Sequence, residues 1–205
     1  VTKVKICGVR QVEHAVVAAE SGADFIGLVF APSPRRIDPQ IGEQLSDAVK
    51  RAGEAKVVGV FVNESVETMN SLVRRCALDY VQLSGDEPDE LIELIDAPVI
   101  RTVHVTETLD REALKNRVAS IAAELVLLDS ARSGLYGGTG QTFEWSRLPA
   151  TDRPIMVAGG LHSENVLEAI EAMDPWGVDV SGGVETNGVK DEQKIRDFIR
   201  TVKRL

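Results

Sequence analysis

Short apolar and β-branched runs recur along the whole chain, and each gives way to a stretch with a longer hydrophobic period. The runs predict strands near Val4–Cys7, Phe25–Phe30, Val57–Val62, Tyr80–Leu83, Val99–Val103, Leu125–Asp129, Ile155–Ala158 and Val178–Ser181. Several are apolar at every position, as expected where both faces of a parallel strand are covered. Between them the helical period takes over: Ile195, Phe198, Ile199 and Val202 form one apolar stripe in the last helix. Ser65 precedes Val66, Met69, Leu72 and Val73, and Ser163 precedes Val166, Ile170 and Met173, so both serines read as N-caps. The segment 144–148 after the sixth strand is the weakest helical stretch.

Strand and helix alternating in this way predict an α/β fold, a single-domain (β/α)₈ TIM barrel over residues 1–205. An open doubly wound sheet is the alternative, but no Gly-x-Gly-x-x-Gly turn follows the first strand. Nothing in the composition marks a linker or a domain boundary.

A barrel of this kind carries its chemistry at the C-terminal ends of its strands. Those ends hold Cys7, Asn63, Ser84, Asp129, Gly159–Gly160 and Ser181–Gly183. Parity sharpens the choice. Val4 and Ile6 suit the helix-facing side of the first strand, which turns Lys5 and Cys7 inward. Leu125, Leu127 and Asp129 share a face of the sixth strand, and Asp179 and Ser181 alternate with Val178 and Val180. Buried polar groups need partners, so Lys5, Arg101 and Asp179 are expected to form an ionic network supporting the site, with a purely structural role as the bland reading. Cys7 is either a small buried hydrophobe or, with Lys5 lowering its pKa, a thiolate that accepts a proton. Asp129 closes an apolar run, where a carboxyl group can hold a raised pKa and act as an acid; a loop anchor is the plainer alternative.

Composition narrows the partners. The chain has 205 residues, 43% of them hydrophobic, with 23 basic against 32 acidic residues and a formal charge of −9. That balance argues against a nucleic-acid or anionic-membrane surface. It leaves an anionic small molecule open, since backbone N–H groups bind phosphate locally. Neither a signal core nor an apolar run of the roughly 20 residues a membrane span needs is present. Cys7 and Cys76 suit neither a disulfide framework nor a metal site, and a cytoplasmic setting is the expectation.

Glycine supplies the candidate anion site. Gly159-Gly160 follows the seventh strand and Ser181-Gly182-Gly183 the eighth, the usual phosphate-binding places of this barrel. Gly137-Gly138-Thr139-Gly140 lies after the sixth strand. The Ala31–Arg36 loop after the second brings Arg35 and Arg36 beside the site, and arginine pairs bidentately with carboxylates. His14, His104 and His162 show no partner pattern and receive no catalytic role.

These residues closely resemble the phosphoribosylanthranilate isomerase family. The resemblance is carried by Lys5-Ile6-Cys7-Gly8, Ser33-Pro34-Arg35, Gly59-Val60-Phe61-Val62-Asn63, Val81-Gln82-Leu83, Leu128-Asp129, Gly137-Gly138-Thr139-Gly140-Gln141-Thr142-Phe143 and Asp179-Val180-Ser181. It runs from residue 3 to about residue 204. It implies a cofactor-free and metal-free Amadori rearrangement of N-(5′-phosphoribosyl)anthranilate in tryptophan biosynthesis. By the same resemblance Cys7 is the general base, Asp129 the general acid and Arg35 the holder of the anthranilate carboxylate. Gln82, Ser84, Gly138 and Gly140 become substrate-binding candidates, and Gly159, Gly160, Ser181, Gly182 and Gly183 phosphate-binding ones. Ser84 stands where the family usually has histidine, Ser181-Gly182-Gly183 replaces a more usual Ser-Ser-Gly, and Arg36 offers a second cation over the pocket. Monomer and homodimer both stay open.

Three rivals are weaker. The related histidine-pathway isomerase uses aspartates at the ends of strands one and five, where this chain has Cys7 and Val103-His104. A Schiff-base aldolase wants a lysine at a strand end, and Lys5 is the only candidate. A non-catalytic phosphate-binding barrel would have no use for Cys7 and Asp129 together.

Overall fold

A computed structural model describes residues 1–106, 109–130 and 153–204. Eight parallel strands close into a barrel: β1 (Lys3–Cys7), β2 (Phe25–Val29), β3 (Lys56–Phe61), β4 (Tyr80–Leu83), β5 (Val99–Val105), β6 (Leu125–Ser130), β7 (Ile155–Ala158) and β8 (Gly177–Val180). β1 seals the ring by pairing with β8, Lys5 opposite Asp179. The expected strands are all present, and the expected barrel is the observed one.

The alternating pattern separates two cores. Val4, Ile6, Val57, Val81, Val126 and Val178 face outward and pack with helix residues such as Leu45, Met69, Val166 and Phe198. Inside the ring, Phe25, Val58, Ile100, Leu125, Leu127 and Met156 fill the lower layers. Cys7 lies above them among Val29, Ala31 and Val60. Among the described residues the strand ends therefore rest on a packed floor, with the C-terminal mouth above it.

Helices α1 (Val12–Glu20), α2 (Pro39–Ala52), α3 (Val66–Arg75), α4 (Arg111–Ser120), α5 (Val166–Met173) and α6 (Glu192–Lys203) follow the strands among the described residues. Ser65 caps α3 as expected, accepting from the Thr68 N–H, and α6 buries the predicted stripe. Ser163 does not cap α5. That helix begins later, with Asn165 at its N-cap, whose Oδ1 accepts instead from the His162 N–H. Residues 144–148 lie outside the described residues.

Among the described residues two features depart from a regular repeat. The segment after β4 is a 3₁₀ turn, Asp89–Leu94. Pro88 and Pro98 bracket it, and proline holds the residue before it out of the α region. After β8, Gly182–Val184 makes a 3₁₀ turn and a small antiparallel hairpin follows, β9 (Glu185–Thr186) with β10 (Val189–Lys190). No described helix is long and apolar enough to cross a membrane.

Candidate active site

β1 brings two groups to the mouth. Lys5 is fully buried, and its Nζ donates to Asp179 Oδ1 on β8 at 2.9 Å. Burial opposes that charge, but Asp179 and then Cys7 outweigh it and raise the lysine pKa. Cys7 stands one inward position higher. Both depend on Gly27 in β2: a Cβ there would lie 2.8 Å from Cys7 Sγ and 3.2 Å from Lys5 Nζ. The expected lowering of the Cys7 pKa does not prevail. Burial pushes the thiol up, Lys5 pulls it down, Asp179 opposes Lys5, and the net direction is upward.

Asp129 ends the inward face of β6, buried as expected. Burial is the main reason its pKa rises to about 6, with His104 and Lys5 pulling it down and Asp179 adding to the rise. His104 is a residue that the sequence reading passed over. β5 runs past Val103 to Val105, which places His104 in the strand, in register with Asp129. Its Nε2 lies 2.9 Å from the Ser84 carbonyl, an acceptor only, so Nε2 carries the proton. Gln82 and Ser84 face inward from β4 and its end. Ser84 Oγ lies 2.9 Å from Gln82 Nε2 and 3.0 Å from Thr102 Oγ1.

Arg101 is not part of this cluster, contrary to expectation. Val99, Val103 and Val105 belong to the outer core, and Arg101 shares their parity while Ile100 faces in. Its guanidinium meets Glu87 Oε2 at 3.1 Å and Asp89 Oδ1 at 3.1 Å, and also the carbonyls of Leu83, Gly85 and Glu87. It binds the β4 end to the 3₁₀ turn. Lys5 and Asp179 pair without it.

The two glycine loops abut. A Cβ on Gly183 would fall 1.9 Å from the Leu161 carbonyl oxygen, so only glycine lets the loop after β8 lie against the loop after β7. Gly159 has φ +102° and packs against Ser130 with the same intolerance of a Cβ. Gly160 also has positive φ, and Asn165 Nδ2 holds its carbonyl. Ser181 Oγ donates to the Cys7 carbonyl at 3.0 Å, tying this loop to β1. Gly138 and Gly140 lie outside the described residues.

Arg35 reaches across Gly8 toward Gly182. Its Nε and Nη2 donate to the two oxygens of Glu185 at 2.7 and 2.8 Å. Arg36 is exposed. Glu185 and Lys190 belong to the hairpin after β8, another part that the sequence reading missed. Lys190 Nζ donates to Glu185 Oε1 at 2.7 Å and to the Ser181 carbonyl at 3.0 Å. Burial works against the Glu185 charge, yet Arg35 and Lys190 hold its pKa down at about 2. Among the described residues no group of His, Cys, Asp and Glu could hold a metal ion.

A buried thiol and a buried acid on one inner face, below paired glycine loops, suit proton transfer on a small phosphorylated molecule. The family model for N-(5′-phosphoribosyl)anthranilate (PRA) isomerase matches residues 4–201. The N-(5′-phosphoribosyl)anthranilate isomerase of Syntrophomonas wolfei is 45% identical, covering 98% of this chain and 97% of the relative. The crystal structure of phosphoribosyl anthranilate isomerase from Thermotoga maritima superposes with a TM-score of 0.86, at 36% identity, over 100% of both chains. A solved phosphoribosyl anthranilate isomerase in complex with reduced 1-(o-carboxyphenylamino)-1-deoxyribulose 5-phosphate is also 36% identical, with a TM-score of 0.83 over 100% of both chains. Pattern, barrel and relatives agree, and the chain belongs to the N-(5′-phosphoribosyl)anthranilate isomerase family.

Proposed function

We propose that this chain isomerises N-(5′-phosphoribosyl)anthranilate to 1-(2-carboxyphenylamino)-1-deoxyribulose 5-phosphate in tryptophan biosynthesis, with Asp129 as general acid and Cys7 as general base. The observation that supports it most is the placement of the two groups. A carboxyl with a pKa of about 6 and a buried thiol end inward-facing strands around one Lys5–Asp179 pair.

The chemistry uses each group once. Asp129 protonates the furanose ring oxygen; the C1′–O bond breaks, and the anilino nitrogen lone pair forms the C1′=N bond of a protonated Schiff base. Cys7 thiolate then removes the C2′ proton. The freed pair makes C1′=C2′, the nitrogen becomes neutral, and the enolamine tautomerises to the ketone at C2′. Gly159, Gly160 and Ser181–Gly183 offer backbone N–H groups to the phosphate, whose binding orients the reacting carbon. Arg35 spends one edge on Glu185 and keeps further donors for the anthranilate carboxylate. Gln82 and Ser84 line the floor beneath.

The two pKa directions make the productive state a minority one. At neutral pH Asp129 is mostly ionised and the thiol mostly protonated, so the active form is the minority one with Asp129 protonated and Cys7 ionised. A bell-shaped kcat/KM follows, with its acid limb near pH 6 and its alkaline limb set by the thiol.

The test follows the fluorescent substrate in chelator-containing buffer. Cys7→Ser and Asp129→Asn are each expected to lose roughly 10²–10⁴-fold in kcat while remaining folded. Near wild-type kcat in either variant removes that residue from the mechanism. No turnover by the wild-type chain, with the aminoimidazole carboxamide substrate of the related histidine-pathway isomerase consumed instead, overturns the substrate.

A further inference from the structure

Three charged groups at the mouth, Arg35, Glu185 and Lys190, are bound into one chain of contacts that passes through Lys190. Its side chain is 3% exposed, and its ammonium is spent on the Ser181 carbonyl, on Ser181 Oγ at 3.3 Å and on Glu185. From Ser181 the chain continues to the Cys7 carbonyl, and from Glu185 to Arg35. Arg10 straps the same hairpin to the Arg35 loop by donating to the Gly188 and Pro34 carbonyls. A short hairpin needs no buried cation to close, and burying one is expensive unless it is paired. Here the pairing reaches the base-bearing strand, the phosphate loop and the carboxylate-binding arginine at once.

We propose that Lys190 and Glu185 are positioning residues for the rearrangement: Lys190 fixes the Ser181 loop beside Cys7 and holds Glu185, and Glu185 aims Arg35. The proposal rests on the reading of Cys7 as base and of the glycine loops as the phosphate site. Arg35 and Lys190 against Glu185 give this trio one net positive charge, which suits an anionic group of the substrate beside it. The charges that act on the thiol are those of Lys5 on its own strand, Asp179 on β8, Lys190 on β10 and Arg35 on the loop after β2. β2 and β3 offer it only Gly27, Val29 and Val60. Lys190 is one of the two lysines that favour its thiolate.

The experiment compares Lys190→Met, Lys190→Arg and Glu185→Gln with wild type. It reads KM, the inhibition constant of inorganic phosphate, and the pH dependence of Cys7 alkylation by iodoacetamide, resolved from Cys76 by peptide mass spectrometry. Lys190→Met is expected to raise KM and the phosphate constant about tenfold and to move the alkylation limb up by about half a pH unit or more. Lys190→Arg should recover most of both. Glu185→Gln should raise KM by about tenfold but leave the phosphate constant within about twofold, because it weakens the hold on Arg35 while Lys190 keeps its bonds to the Ser181 carbonyl and hydroxyl. Lys190→Gln takes the place of the methionine variant if that one does not fold. A lower melting temperature with KM, phosphate constant and alkylation limb all unmoved would make the network merely structural and overturn the proposal. Alkylation and phosphate inhibition do not require Cys7 to be the base. Normal turnover in Cys7→Ser therefore fails the mechanism separately.

Discussion

Asp129 sits in a place that suits the acid role proposed for it and not its charge. Its folded pKa of about 6 lies above the ordinary 3.8, so the folded chain binds its proton more tightly than the unfolded chain does. Stability from this group is therefore full below the ordinary value, falls as pH rises through about 6, and stays low above it. Asp129→Asn removes the burden and is expected to be more stable than wild type by about 2–3 kcal/mol at pH 8, with little difference at pH 4. Urea midpoints at the two pH values check this; an equal gap at both would show that the carboxylate's charge is not the cause. Gly27 gives a second prediction at this scale. Alanine there must displace Cys7 Sγ or Lys5 Nζ, and the Cys7 Cα at 3.1 Å leaves β1 little room to yield. Gly27→Ala should keep the barrel and lose about 10²-fold in kcat, as a shift of about 1 Å in a reacting group can. Steady-state kinetics beside a circular dichroism melt separate the two effects, and unchanged kcat would mean that the thiol tolerates the shift.

Arg101 shows how one side chain can serve an element rather than the site. It holds the β4 end, the 3₁₀ turn and β5 together, and Glu87 beneath it is 1% exposed. Glu87 also accepts from the Asn63 and Gly85 N–H groups. Arg101→Met strands that carboxylate and should cost about 3–5 kcal/mol by urea unfolding, while kcat of the folded enzyme stays within about threefold. Adding Glu87→Gln should recover part of the loss; if it recovers none, the guanidinium acts through its carbonyl contacts alone. The strands were legible because each is a compact apolar run whose period repeats along the chain. Ser65 was legible because its cap is local. Arg101 was not legible from its polarity, which suggests the site; its true side shows only in the outer parity that Val99, Val103 and Val105 carry beside it. The 3₁₀ turn and the hairpin have too few residues for a hydrophobic period to emerge. In the site, Cys7, Asp129 and Asp179 stood out by ending or nearing the ends of strands. Glu185 and Lys190 did not, because their meaning comes from Arg35, 150 residues away from Glu185 in sequence, and from a loop that only the closed ring brings near.

Closure of the ring is the event on which the whole molecule depends, since Lys5–Asp179 and Ser181–Cys7 both cross the β1–β8 seam. At the opposite end of the barrel from the site, Asp24 helps to hold the chain's first strand to its last helix. Its carboxylate accepts from the Val4 N–H at 2.8 Å, from Lys3 Nζ at 2.9 Å and from Lys203 Nζ at 2.6 Å. Burial opposes this charge, but the Lys203 and Lys3 bonds prevail and the pKa is lowered. A depressed carboxylate contributes stability that is fully present above its unfolded value and is lost as pH falls through the folded one. Asp24→Ala is therefore expected to cost about 2 kcal/mol at neutral pH, a fall of ~4–8 °C in melting temperature for a chain of this size. The deficit should be constant above about pH 5 and shrink below it. Because Asp24 lies far from the mouth, kcat and KM at 25 °C should match wild type. Thermal melts at several pH values with one kinetic assay decide the matter. A deficit that ignores acid would assign the loss to packing, and a changed kcat would mean that strain at the seam reaches Cys7 through β1.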